Sequence, residues 1–274
     1  MKSHAVEDGH AVLEAAIKYV PRGVRAVFYP TDRSRSSWPV DERRLAIHDM
    51  RPLVDTLRLE RNGFLLLQEP TALCDVEDPG EIKRVYYPEV ARLIERLTGA
   101  SRVLVFGEVA RSDRSGTPDG RLPSWGAHVD YDEGTVRDLA QRLLGPAEAP
   151  LLCAQRMRLI NLWRPTRLVE RTPLALCDAS TVTADELNPS EIRGGLNDPD
   201  RPALFGFNLS YSPRHRWYYA PRMRPDEVLA FKLFDSERDR VQWTAHTAFE
   251  DPSAPVDAAP RESLEIRTIA FGGR

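Results

Sequence analysis

Trp125-Gly-Ala-His-Val-Asp-Tyr131 reads as a β-strand that carries chemistry. Side chains two apart on a strand leave the same face, so His128 and Asp130 can converge on one ion. Two histidines and one carboxylate can hold an octahedral metal by one face and leave the other open for a cosubstrate and oxygen. This segment offers two of those three ligands. With six histidines and 21 aspartates in 274 residues, chance supplies roughly 0.5 such His-x-Asp triplets, so the triplet alone is weak evidence. A solvent-facing pair on an edge strand is its plain alternative.

A third ligand has to come from a distant strand, and Trp243-Thr-Ala-His-Thr-Ala-Phe249 sets His246 among small and apolar residues. A histidine in that setting also serves as a satisfied core residue. His4 and His10 lie in a polar N-terminus, His48 precedes the first expected strands, and His215 stands among arginines and reads as surface or substrate loop. Fifteen residues past His246 (261 − 246), Pro260-Arg-Glu-Ser-Leu-Glu-Ile-Arg267 pairs Arg261 with Ser263 on one strand face. A guanidinium fork grips a carboxylate bidentately and a serine hydroxyl adds a donor, a pair suited to a dicarboxylate cosubstrate. Simple alternation aims 261, 263, 265 and 267 one way, so Arg267 competes with Arg261, and a surface ion pair is the plain alternative for either.

Further strands are expected at 63–68, 102–106, 156–163, 174–177, 203–209, 216–220, 228–234 and 264–271, separated by Pro, Gly, Asp and Asn clusters. Helices are expected at 88–97, where Val90, Leu93, Ile94 and Leu97 recur at helical spacing before Gly99, and at 133–144, between Asp132 as N-cap and Gly145 as stop. Many short strands with few helices predict a mainly β fold, an antiparallel core with flanking helices. The polar stretches 112–123 and 181–202 read as loops. A chain of this length with 42% hydrophobic residues is expected to form a single domain over 1–274, with roughly the first 45 residues peripheral.

Thirty-eight basic and 41 acidic side chains, spread along the chain for a net charge of −3, leave no basic stripe for nucleic acid. Cys74, Cys153 and Cys177 have neither zinc spacing nor the density of a disulfide scaffold, which favours a reducing, cytoplasmic setting. No apolar run approaches the ~18 residues of a membrane helix, and no membrane partner is expected. A homodimer is left open.

Six blocks in order carry a family resemblance: His128-Val-Asp-Tyr-Asp-Glu-Gly134, Asn161-Leu-Trp-Arg-Pro165, Pro173-Leu-Ala-Leu-Cys-Asp178, Phe231-Lys-Leu-Phe-Asp-Ser236, His246-Thr-Ala-Phe249 and Arg261-Glu-Ser263. From about residue 49 onward the sequence resembles the 2-oxoglutarate-dependent oxygenases that include the cephamycin 7-alpha-methoxylation component and fungal hydroxylase/desaturase enzymes of secondary metabolism. The resemblance implies a double-stranded β-helix, or jelly roll, with iron(II) near one mouth of the barrel. It implies His128, Asp130 and His246 as iron ligands, Arg261 with Ser263 on the 2-oxoglutarate, and Asn161 beside that cosubstrate. O2 is the oxidant and a small molecule, a secondary metabolite by class, the substrate to be hydroxylated or desaturated. Tyr131, Arg214, Arg216 and Trp217 are the expected substrate-side residues, although an Arg-His-Arg-Trp run after Ser-Pro reads equally as a solvated loop. Two other readings stay open: an iron oxidase on the same scaffold that uses no 2-oxoglutarate, and a non-catalytic accessory protein.

Overall fold

Residues 157–165 and 227–235 are buried along their whole length, which a strand tolerates only when both faces of its sheet are covered. In the computed structural model, which describes residues 5–7, 10–118, 121–194 and 204–273, these runs are β8 (Met157–Pro165) and β13 (Glu227–Asp235). With β5 (Phe64–Gln68), β15 (Glu262–Phe271) and β6 (Arg102–Ser112) they form a five-stranded antiparallel sheet in the order β5-β13-β8-β15-β6. Its inner face sends Trp163, Leu229, Phe231 and Ile269 into the main core. Its outer face packs Leu162, Ala230, Leu264 and Ile266 against Val90, Leu93 and Ile94.

Those last three residues are the apolar stripe of α2 (Tyr87–Thr98), which follows the single turn α1 (Pro79–Glu81) and a π-turn over Ile82–Tyr86. Gly99 ends the helix in the left-handed conformation, φ 64. The segment α3 (Glu133–Leu152) opens on Asp132, whose side chain accepts from Thr135 N–H. Gly145 breaks it at φ 71 and ψ 178, so the expected helix ends where expected and a short second helix, which was not expected, follows.

Facing the first sheet is a second in the order β1 (Ala5–Glu7), β2 (His10–Tyr19), β4 (Asp41–Asp49), β12 (Trp217–Tyr219), β9 (Leu174–Cys177), β14 (His246–Ala248), β7 (His128–Val129), β11 (Leu204–Leu209), β10 (Leu187–Ile192) and β3 (Ala26–Phe28). Two packed sheets built from such strands are the mainly β jelly roll that the sequence predicts.

Three differences have physical causes. Strands β2 and β4 lie before the first expected strand, and their register runs from Val12↔His48 to Tyr19↔Asp41. Sequence signals missed β4 because much of it faces solvent, and β2 because half of it is alanine and charge, though Ile17 and Tyr19 are fully buried. Strand β10 crosses the expected loop 181–202, and its Pro189 is tolerated because β3 pairs only from Ser190 onward. The expected strand 125–131 shrinks to His128–Val129, since the chain turns at Asp130 toward the N-cap of α3. Ala203, the first residue of another expected strand, lies outside the described residues.

Candidate active site

Strand β7 lies between β14 and β11, which sets His128 directly opposite His246. Their ring centroids are 4.3 Å apart. Asp130, in the bend just past β7, brings Oδ1 to 3.4 Å from His128 Nε2 and 3.8 Å from His246 Nε2. Ligand atoms of all three lie within 4.8 Å of one another, short enough for one ion to reach each. The convergence foreseen for a strand is thus achieved by a strand and a bend.

Protonation favours the same use. Each histidine turns Nδ1 to a carbonyl, His128 to Gly126 at 2.6 Å and His246 to Thr244 at 3.3 Å. A carbonyl only accepts, so each Nδ1 carries the proton and each Nε2 lone pair faces the centre. Burial, helped by His128, pushes the His246 imidazole down to about 3 and keeps it neutral. Burial also presses on His128, but Asp130 and the Gly126 carbonyl outweigh it and hold that imidazole above its ordinary value. Burial opposes ionisation of Asp130, yet its contacts with the two histidines hold the carboxyl well below the usual range.

From the opposite sheet, Asn161 donates Nδ2 to Asp130 Oδ2 at 2.8 Å and lies 3.4 Å from Glu265 Oε1. Glu265 in turn is 3.1 Å from Arg267, the register partner of Asn161. Sequence reasoning set Asn161 beside a cosubstrate; here it steadies the carboxylate of the triad, and its own Oδ1 is buried without a partner.

Arg261 is 1% exposed. Its guanidinium donates to the Thr172 carbonyl at 3.2 Å and stacks over Trp163, 5.3 Å from the ring centroid, and no acidic side chain pairs with it among the described residues. Burial, with Arg111 nearby, lowers it to about 9. Arg261 Nε, Ser263 Oγ and Trp163 Nε1 are all buried and unpartnered. Orphaned donors of this kind, gathered around an uncompensated guanidinium, fit an anion with several acceptor oxygens. Arg267 differs, because Tyr131, Glu265 and Asp130 outweigh its burial and raise its pKa.

Beside the triad opens a cavity of about 420 Å³ lined by His128, Asp130, Tyr131, Arg111 and Arg267 together with apolar walls. Tyr131 therefore falls where a substrate-side residue was expected. The other three do not line it. Trp217 is fully buried and donates Nε1 to Tyr19 Oη at 2.7 Å, Arg214 pairs with Glu186 at 2.7 Å, and Arg216 is exposed. His215, read as surface or substrate loop, is buried against the same Glu186 at 3.2 Å. The buried Glu186 thus claims Arg214 and His215, and no local pattern announces it. Arg111 was missed because the expected strand stopped at 106. Gly107, at φ 64, instead forms a bulge against β15 and lets β6 continue to Ser112.

Two imidazoles and one carboxylate that converge inside a jelly roll are the donor set of one class, the facial-triad non-haem iron enzymes. A sequence-family profile described as "Oxidoreductase/YMDC permease-like domain" matches residues 17–271. Among the described residues, no helix is long and apolar enough to cross a membrane. The Fe(II)/2-oxoglutarate-dependent dioxygenase nvfI of Aspergillus novofumigatus is 34% identical over 240 residues, 84% of each chain. The hydroxylase/desaturase efuI of Hormonema carpetanum is 31% identical over 252 residues, 83% of each. A solved structure of the iron and alpha-ketoglutarate-dependent endoperoxidase NvfI superposes with a TM-score of 0.88 at 29% identity, covering 96% of this chain and 98% of that one. The chain belongs to the family of Fe(II)/2-oxoglutarate-dependent dioxygenases that these fungal enzymes represent. It is an enzyme that uses iron(II), 2-oxoglutarate and O2.

Proposed function

We propose that His128, Asp130 and His246 hold the iron(II) and that Arg261 and Ser263 hold the distal carboxylate of 2-oxoglutarate, in one oxygenase domain that hydroxylates or desaturates a small secondary metabolite. The observation that carries this reading is the convergence of three ligand atoms within 4.8 Å from two distant parts of the chain. Arg261 is preferred to Arg267 because Glu265 already pairs with Arg267, while among the described residues no carboxylate pairs with the Arg261 guanidinium. Bound iron(II), cosubstrate and oxygen supply an oxidant able to take a hydrogen atom from unactivated carbon. The chain's own part is to orient and shield. Asn161 fixes one oxygen of Asp130, the carbonyls of Gly126 and Thr244 fix the imidazoles, and the buried Trp163 and Ser263 keep water from the anion site. The six sequence blocks support placing the chain near the cephamycin 7-alpha-methoxylation component, and three unpaired thiols support a cytoplasmic setting.

The test is an anaerobic titration of iron(II)-loaded protein with 2-oxoglutarate, following the visible charge-transfer band of the chelate. The parent develops the band, His128→Ala loses it, and Arg261→Gln needs about tenfold more cosubstrate or beyond, as expected for lost charge-assisted bonds. A parent that binds iron without a band is an oxidase that does not use 2-oxoglutarate. A parent that binds no iron is not a catalyst of this kind.

A further inference from the structure

Three guanidiniums bear on the interior beside the triad. Arg111, Arg261 and Arg267 act on it electrostatically, against the carboxylates of Asp130, Glu265 and, at Arg261, Asp113. On the reading proposed above, a divalent iron brings two more positive charges and 2-oxoglutarate two negative ones. Metal and cosubstrate therefore cancel in charge, and what distinguishes the three guanidiniums is their partners.

Arg111 is the one of the three left without a carboxylate when Glu265 pairs with Arg267 and 2-oxoglutarate with Arg261. It stands opposite Ser263 in the register of β6 and β15, and one of its nitrogens donates to the Leu122 carbonyl at 2.9 Å. Among the described residues no carboxylate lies within ion-pair reach of it. Unlike Arg261, which is sealed away, Arg111 lines the open cavity together with His128 and Asp130. Most of the wall around it is apolar and aromatic, with Phe28, Trp38, Val109, Trp125 and Ile192, while Arg33, also in the wall, lies over the Phe28 ring and donates to the Pro123 carbonyl. Such walls favour a carbon skeleton with little hydrogen-bonding capacity, and a planar guanidinium with spare N–H groups favours a carboxylate.

We infer that the substrate is an apolar carboxylic acid whose carboxylate is received by Arg111, while the skeleton lies along the aromatic wall toward the iron. The inference rests on the 2-oxoglutarate reading and deepens it by naming the substrate class.

The probes are 4-(naphthalen-2-yl)butanoate and its primary amide, titrated calorimetrically into anaerobic protein loaded with iron(II) and 2-oxoglutarate. The parent binds the acid about tenfold more tightly than the amide, Arg111→Gln reduces that preference to about twofold or less, and Arg111→Lys keeps part of it. Equal binding of acid and amide by the parent, binding of neither, or a preference that survives in Arg111→Gln overturns the inference. A second arm titrates the chelate band. If Arg111→Gln weakens 2-oxoglutarate about tenfold, as Arg261→Gln does, the carboxylate at Arg111 is the cosubstrate's own and the inference fails. Failure of the underlying reading looks different, because the parent then forms no chelate band at all.

Discussion

Asn161 on β8 reaches across the barrel to donate its side-chain amide to Asp130 beside β7, so one hydrogen bond of 2.8 Å ties the two sheets together at the triad. A carboxylate held this way presents its other oxygen, Oδ1, to both histidines. Partners of this kind are worth about 10–100-fold in metal affinity. Asn161→Leu is expected to weaken iron(II) binding by that factor, with helical and strand content unchanged by circular dichroism. Asn161→Asp should weaken it further, because it sets a second carboxylate against Asp130 where an amide donor stood. Anaerobic metal titration distinguishes these from a variant in which affinity is unchanged, which would reduce Asn161 to a packing residue.

Asp113 governs Arg261 without touching a ligand. One carboxylate oxygen accepts the main-chain N–H of Arg261 at 2.7 Å, and the other accepts the Thr172 hydroxyl at 2.6 Å. Thr172, at φ 54, then offers its carbonyl to the Arg261 guanidinium. Asp113→Asn keeps the size but removes the charge and one acceptor. About 1 kcal/mol lost from this framework raises the 2-oxoglutarate dissociation constant roughly fivefold. Iron(II) affinity should stay at the parent value, since Asp113 contacts none of the triad. Loss of both affinities together would assign Asp113 to the fold rather than to the anion site.

The triad was legible because a spacing of two aims His128 and Asp130 together on a strand and still does so when the chain bends at Asp130. The inward set Ser263, Glu265 and Arg267 was legible for the same reason, since β15 keeps its alternation against β8 without a shift. What period and composition do not encode is which charges find partners. Arg214 and His215 read as open to a substrate because Glu186, their partner, lies almost thirty residues earlier. Arg111 was hidden by a bulge, and β2 and β4 by the polarity of a half-exposed sheet. Local pattern records faces and turns, and long-range ion pairing decides the rest.

Gly206 on β11 packs against the main chain that carries the ligands. A Cβ there would lie 2.5 Å from the carbonyl oxygens of both Val129 and Asp130. Backbone cannot rotate aside as a side chain can, so Gly206→Ala has to push β7 and its bend outward. The expected cost is about 1–3 kcal/mol, a melting temperature on the order of 5 °C lower, with iron(II) affinity falling in parallel. Gly23 is the contrast: at φ 81 a Cβ meets nothing within 4 Å. Gly23→Ala should cost only the backbone penalty of about 1 kcal/mol and leave metal binding intact. Equal effects of the two substitutions on metal affinity would refute the packing argument.

Glu186 makes stability depend on pH at a point remote from the triad. Burial opposes its ionisation, but the Thr183 N–H together with Arg214 and His215 draws the carboxyl down to about 2. A folded value below the unfolded one means that the carboxylate stabilises the fold above about 4.5 and loses that contribution as pH falls from there toward about 2. The contact with His215 complicates a direct comparison, since burial depresses that imidazole and its own protonation also destabilises in acid. A His215→Asn background removes it. In that background Glu186→Gln should melt about 5 °C below its reference at pH 7, for a loss on the order of 2 kcal/mol. Below pH 4 the two curves should converge, because acid does to the reference what the substitution does to the variant. A gap that stays constant from pH 7 to pH 3 would mean that Glu186 acts by shape and hydrogen bonding rather than by charge.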